Sequence, residues 1–111
     1  MNMTKKSIFL EVVGDSPTMR VMQFMIEGRN FDYMLTDLAR DAGVSWGTLN
    51  MIFPKLVEYG LIKKVRKIGR ATLYTINKEN TTAKKMIDLY DHIIAGNLAS
   101  TEKLRKIKTK A

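Results

Sequence analysis

The chain has no cysteine, one histidine, one tryptophan and two prolines in 111 residues. Without cysteine there is no disulfide, no thiolate metal site and no cysteine nucleophile, and nothing conflicts with a cytoplasmic protein. No apolar run approaches the ~20 residues that span a bilayer, so no membrane partner is expected. The stretch Met1–Pro17 sets basic residues before a short apolar run. Glu11 breaks that run and no small-residue cleavage site follows, which argues against a signal peptide. His92 lies near Asp88 and Asp91 but lacks a second ligand at suitable spacing, so neither metal nor cofactor is expected. A glycine-rich phosphate loop is missing too. Catalysis would have to rest on carboxylates or lysine alone, and no enzyme is expected.

Charge is present in excess and unevenly. Residues 1–54 hold 5 basic and 6 acidic side chains, and residues 55–111 hold 14 and 5, dividing the net +8 into −1 and +9. A one-sided excess of this kind favours an anionic partner, although a solvated lysine surface has the same composition. Charge alone decides nothing.

The pattern of apolar residues divides the chain into elements of one small domain. Residues 1–13 contain IFLEVV, which fits a helix or a strand equally well. Ser16-Pro17 is a helix start, with a capping hydroxyl and a proline where its missing N–H costs nothing. Val21, Met22, Phe24, Met25 and Ile26 then form a wide apolar stripe, which Gly28 and Asn30 end. Leu35, Leu38, Ala39 and Ala42 recur at helical spacing before Gly43, with Thr36-Asp37 near the start. Ser45 caps a third helix, whose inner face is expected to carry Leu49, Ile52, Phe53, Leu56 and Val57. Two strands, residues 61–67 and 71–77, flank Ile68–Arg70 and predict a hairpin. Residues 80–98 read as an amphipathic C-terminal helix, and residues 99–111 as a basic, disordered tail.

Helix, helix, turn, helix, hairpin, helix is the order of a winged helix-turn-helix: mainly α with a small β-hairpin wing, here spanning residues 14–79. Counting Leu35 as the first position, Ala39 is fifth, Gly43 ninth, Leu49 fifteenth and Ile52 eighteenth. A small fifth residue lets two helices cross closely, a glycine at the ninth makes the sharp turn cheap, and the last two anchor the second helix. The segment Gly14–Leu98 resembles the archaeal winged helix-turn-helix transcriptional regulators of the broad ArsR-like/MarR-like group. AGVSWGTL, PKLVEYGLI and KIGRATLYTIN carry the resemblance most specifically. It implies double-stranded DNA as the partner, a recognition helix from Ser45 to Tyr59 and a wing from Lys63 to Tyr74. The metal-sensing members use cysteines or His/carboxylate clusters that this chain lacks, so that activity is not carried over.

Recognition helices enter the major groove by their N-terminal turn. Ser45, Trp46, Gly47 and Thr48 occupy that turn, where free N–H groups and hydroxyls suit a phosphate and Gly47 lets DNA approach. Asn50 has the amide geometry for adenine, Met51 is an apolar contact beside it, and Lys55 is placed for a phosphate. Trp46 is placed for a thymine methyl or a sugar, and is open to a second reading, as a surface residue folded back on the preceding helix. Pro54 is expected to bend the axis by removing the bond to the Asn50 carbonyl. Lys63, Lys64, Arg66, Lys67 and Arg70 place five cations within eight positions with no acid among them, and the tip is suited to a minor groove. The same lysines also protect an edge strand.

Met86, Ile87, Tyr90, Ile93, Ile94 and Leu98 line one face of the last helix. They are expected to pair it with a two-fold mate, giving a homodimer that reads half-sites about one helical turn apart. The competing reading is closure of its own domain against IFLEVV. Two rival functions stay open at this point: a non-specific architectural DNA-binding protein, and a protein-interaction module of transcription or segregation machinery.

Overall fold

A computed structural model describes the backbone of residues 7–110 and the side chains of residues 7–96. Five helices and three strands follow in the order α1 (Ile8–Val13), α2 (Pro17–Glu27), β1 (Tyr33–Met34), α3 (Leu35–Ala42), α4 (Trp46–Glu58), β2 (Ile62–Ile68), β3 (Ala71–Ile76) and α5 (Thr81–Lys110). The ambiguous IFLEVV is a helix. Ser7 caps it by accepting the Leu10 amide at 3.1 Å, and its hydroxyl is also bonded to Gln23 on α2. Ser16 caps α2 in the same way, accepting from the Met19 amide, with Pro17 in the first turn.

β1 was not expected from the sequence. It is two residues long, pairs Tyr33 with Tyr74 and Met34 with Leu73, and completes an antiparallel sheet of order β1-β3-β2. The core collects one face of every helix that encloses it. Val21, Met22, Met25 and Ile26 of α2 meet Leu38 of α3, Leu49, Phe53 and Leu56 of α4, and Ile62 and Ile76 of the sheet. Ala83 and Ile87 of α5 close it. The unbranched methionines at the centre fill the irregular space between crossing helices. Val57, expected on the inner face of α4, is instead 39% exposed; it sits one position past Leu56 and so turns toward the rim.

Asparagines fasten the C-terminal end of this assembly. Asn77 donates to the Gly60 carbonyl at 3.1 Å and Asn80 to the Tyr59 carbonyl at 3.2 Å, tying the end of α4 to the start of α5. Asn80 also accepts the Ala83 amide at 2.9 Å and so caps α5. The α5 backbone remains helical through Lys110, where a disordered tail was expected from its basic composition. No described helix is long and apolar enough to cross a membrane.

Candidate nucleic-acid interface

The turn between α3 and α4 fixes where α4 points. Gly43 has φ 71° and ψ 39°, the left-handed conformation that glycine adopts without a Cβ clash. The next amide, Val44, bonds back to the Ala39 carbonyl at 3.0 Å, and Val44 itself is buried. Arg20 of α2 clamps the turn from outside. Its Nη1 donates to the Gly43 carbonyl at 3.1 Å while Nε and Nη2 hold Asp15 at 2.6 and 3.0 Å. Ser45 then caps α4, accepting the Thr48 amide at 3.2 Å and donating to the Thr48 hydroxyl at 2.9 Å.

From this cap, α4 shows two different sides. Leu49, Phe53 and Leu56 are buried, whereas Trp46, Asn50, Met51 and Pro54 are exposed. Trp46 is 52% exposed and Met51 77%, so the tryptophan stands in the open beside the helix start. Asn50 Nδ2 donates to the Trp46 carbonyl at 2.8 Å, leaving Oδ1 and a second amide hydrogen available. Thr48 is half-buried, and Lys55 is exposed on the third turn. Pro54 lies inside α4, so its missing N–H cannot serve the Asn50 carbonyl.

The wing leans on this helix through one ring pair. Tyr74 of β3 meets Phe53 edge-on with centroids 4.8 Å apart, a contact contributing roughly 0.5–1.5 kcal/mol beyond burial. Between helix and wing runs an open groove of about 480 Å³, walled by Leu35, Phe53, Pro54, Val57 and Tyr74, with Asn50 and Lys64 on its rim. The hairpin loop has two residues, with Gly69 at φ 62° and Arg70 exposed at the tip.

The five wing cations do not form one patch. Paired residues share a face of a sheet and neighbours along a strand alternate. Ile62 pairs with Ile76, Lys64 with Tyr74 and Lys67 with Thr72, which sets Lys64 and Lys67 on the α4 side. A bulge at Val65 shifts the register between Lys64 and Arg66. Arg66 therefore shares the reverse face with Lys63. There it grips Asp32, in the loop before β1, at 2.8 and 3.3 Å. This corrects the reading of an acid-free wing: Asp32 is distant in sequence but adjacent in space. The Arg66 hydrogen bond also holds the Asp32 carboxyl below the usual carboxylate range. Among the described residues, no ion pair involves Lys63, Lys64, Lys67 or Arg70.

The apolar stripe of α5 also divides. Ile87 is 9% exposed within the domain's own core, and Met86 and Tyr90 pack against that core. Tyr90 stacks on Phe9 of α1 at 5.2 Å and donates to Glu27 at 2.6 Å. Burial and the Glu27 carboxylate raise its pKa. These three residues pack against their own domain, as in the competing reading above, with Ile87 buried and Met86 and Tyr90 partly so. Ile93 and Ile94 are half-buried, and the Leu98 side chain lies outside the described residues. Leu89, which the sequence reading missed, is 43% exposed on this helix. Its helical position, one turn before Ile93, was the available signal.

Solved proteins share this architecture. A double mutant of ZitR from Lactococcus lactis in its apo form matches with a TM-score of 0.62 at 17% identity, over 78% of this chain and 68% of that one. The transcriptional regulator HlyU from Vibrio vulnificus matches at 0.55 and 22% identity, over 78% of this chain and 83% of its own. A homodimeric winged helix-turn-helix DNA-binding domain from Mycobacterium bovis, described as a possible ArsR-family transcriptional regulator, matches at 0.56 and 14% identity. That match covers 82% of this chain and 79% of the other. No protein-family model matches the chain, and no curated protein matches it in sequence. With the geometry above, these likenesses identify the fold as a winged helix-turn-helix.

Proposed function

We propose that the protein is a sequence-specific, double-stranded DNA-binding transcriptional regulator, with α4 in the major groove and the wing against the backbone or minor groove. One observation carries this reading. Asn50 of α4 and Lys64 of the wing line one groove, Lys67 shares the hairpin face of Lys64 and Arg70 is exposed at the tip, while the buried side of α4 is wholly used by the core. Ser45 and the first-turn amides supply an anion-binding helix end next to Trp46, Gly47 and Thr48. Asn50 and Met51 follow on the base-facing stripe, and Lys55 lies near the phosphates. Lys63 and Arg66, on the reverse of the hairpin, contribute charge at a distance.

The solved proteins support the reading by kind: one is a transcriptional regulator and another a DNA-binding domain. The second is also a homodimer, which supports a homodimer here. The part of α5 available for pairing begins at Leu89 and continues through Ile93 and Ile94. Binding of duplex DNA, followed by fluorescence anisotropy across a salt series, is the test. Log affinity should fall linearly with log salt, with a slope of about −0.9 for each phosphate contacted. Affinity that does not change between low and moderate salt refutes the placement.

A further inference from the structure

The base-facing stripe of α4 has an unusual composition. Over its first two turns the exposed residues are Trp46, Gly47, Asn50 and Met51, and none is charged. The first cation along the helix is Lys55, on the third turn. Guanine is most often read in the major groove by arginine or lysine, through its O6 and N7 acceptors. Neither residue type is present on this stripe. Thymine is the base that presents a methyl group there, and apolar side chains are its partners.

Gly47 adds an independent observation. Its φ is not positive, and a Cβ built on it meets nothing within 4 Å. Neither backbone conformation nor internal packing requires glycine at this position, although glycine is a poor helix former. Its remaining use is to keep the surface low between Trp46 and Met51, so that a broad partner can approach. Lys55 follows the stripe on the same helix and Lys64 lines a groove with Asn50, which fits a polyanion and disfavours an apolar protein partner.

Resting on the DNA-binding reading, we infer that α4 reads an A·T-rich half-site through thymine methyl groups, with Met51 and Trp46 as methyl contacts and Asn50 on adenine. The available Oδ1 and amide hydrogen of Asn50 match the N6 donor and N7 acceptor of that base. Helix α4 thus discriminates mainly by shape and apolar contact, and the neighbouring hairpin supplies attraction.

The experiment selects duplexes from a random pool with the full chain. Anisotropy then compares the selected duplex with the same duplex in which deoxyuridine replaces every thymine. Loss of each contacted methyl should lower affinity about fourfold. Met51→Ala, at a position 77% exposed and therefore harmless to folding, should shrink the difference between the two duplexes. Selected half-sites dominated by guanine, or equal affinity for thymine and deoxyuridine duplexes, overturn methyl reading while leaving duplex binding intact. Failure to bind any duplex at low salt overturns the DNA-binding reading as well, so the two failures are distinguishable.

Discussion

Helix α4 and the hairpin beside it meet at Phe53 and Tyr74 yet are built on opposite principles. The exposed start of the helix is neutral and apolar, with Trp46 and Met51 prominent, whereas the α4-facing side of the hairpin carries Lys64 and Lys67 with Arg70 at its tip. Base edges are told apart by shape, hydrogen bonds and methyl groups, and phosphates by charge. On the proposed DNA-binding reading, the contrast separates discrimination from attraction onto two neighbouring elements. Each can be changed with little effect on the other.

The first way to break the comparison is to remove what joins the two elements. Phe53 is 5% exposed and supports both the helix and Tyr74. Phe53→Ala should cost about 3–5 kcal/mol of stability, measured by chemical denaturation. It should lower DNA affinity in proportion to the unfolded fraction alone if the wing keeps its place, and further if the wing swings free.

A finer separation comes from changing each element alone. Replacing Lys64, Lys67 and Arg70 by alanine should weaken binding to all duplexes alike and flatten the salt slope by about 3. Asn50→Ala should instead cost ~1–3 kcal/mol at a single base-pair position and leave the slope unchanged. Equal losses on all sequences for both variants would erase the distinction drawn here.

The smallest effects concern charges already held in ion pairs. Arg66→Ala should lower duplex affinity less than Lys64→Ala does, because Arg66 is engaged by Asp32 on the reverse face and acts only at a distance. Asp91 belongs to the same class: it holds Arg29 at 2.7 and 3.0 Å, and that hydrogen bond keeps its pKa low. A carboxyl with a depressed folded pKa contributes stability above its unfolded value, near 3.9, and loses that contribution as the pH falls through the folded value. Asp91→Asn should therefore reduce stability at neutral pH by under about 1 kcal/mol and blunt the acid sensitivity below about pH 4, both measured by thermal melts.

The elements whose signals are local were legible in the sequence. Ser16-Pro17, Gly43, Ser45 and the glycine of the hairpin loop act within a few residues of themselves, and each stands where its chemistry places it. What escaped depends on separation along the chain. β1 has only two residues and exists because β3 offers a partner 41 positions later, seen in the Tyr33–Tyr74 pair. Asp32 reaches Arg66 across the same junction. The inward half of the α5 stripe could not be told from an outward one, because periodicity shows that a face is apolar and is silent about what covers it. Phe9 and Glu27, from two other helices, settle that for Tyr90.

The bulge at Val65 has a consequence for how such a hairpin can change. With unbroken alternation, Lys64 would share a face with Arg66, and Lys63 with Lys67. The one extra residue swaps the last two, turning Lys67 toward α4 and delivering Arg66 to Asp32. Charge placement on this arm is thus encoded by counting as much as by chemistry. Drawing Val65 into a regular ladder, with the bulge closed, would exchange the faces of Arg66 and Lys67 without altering the number of cations, a shortcut by which a lineage could retune its grip.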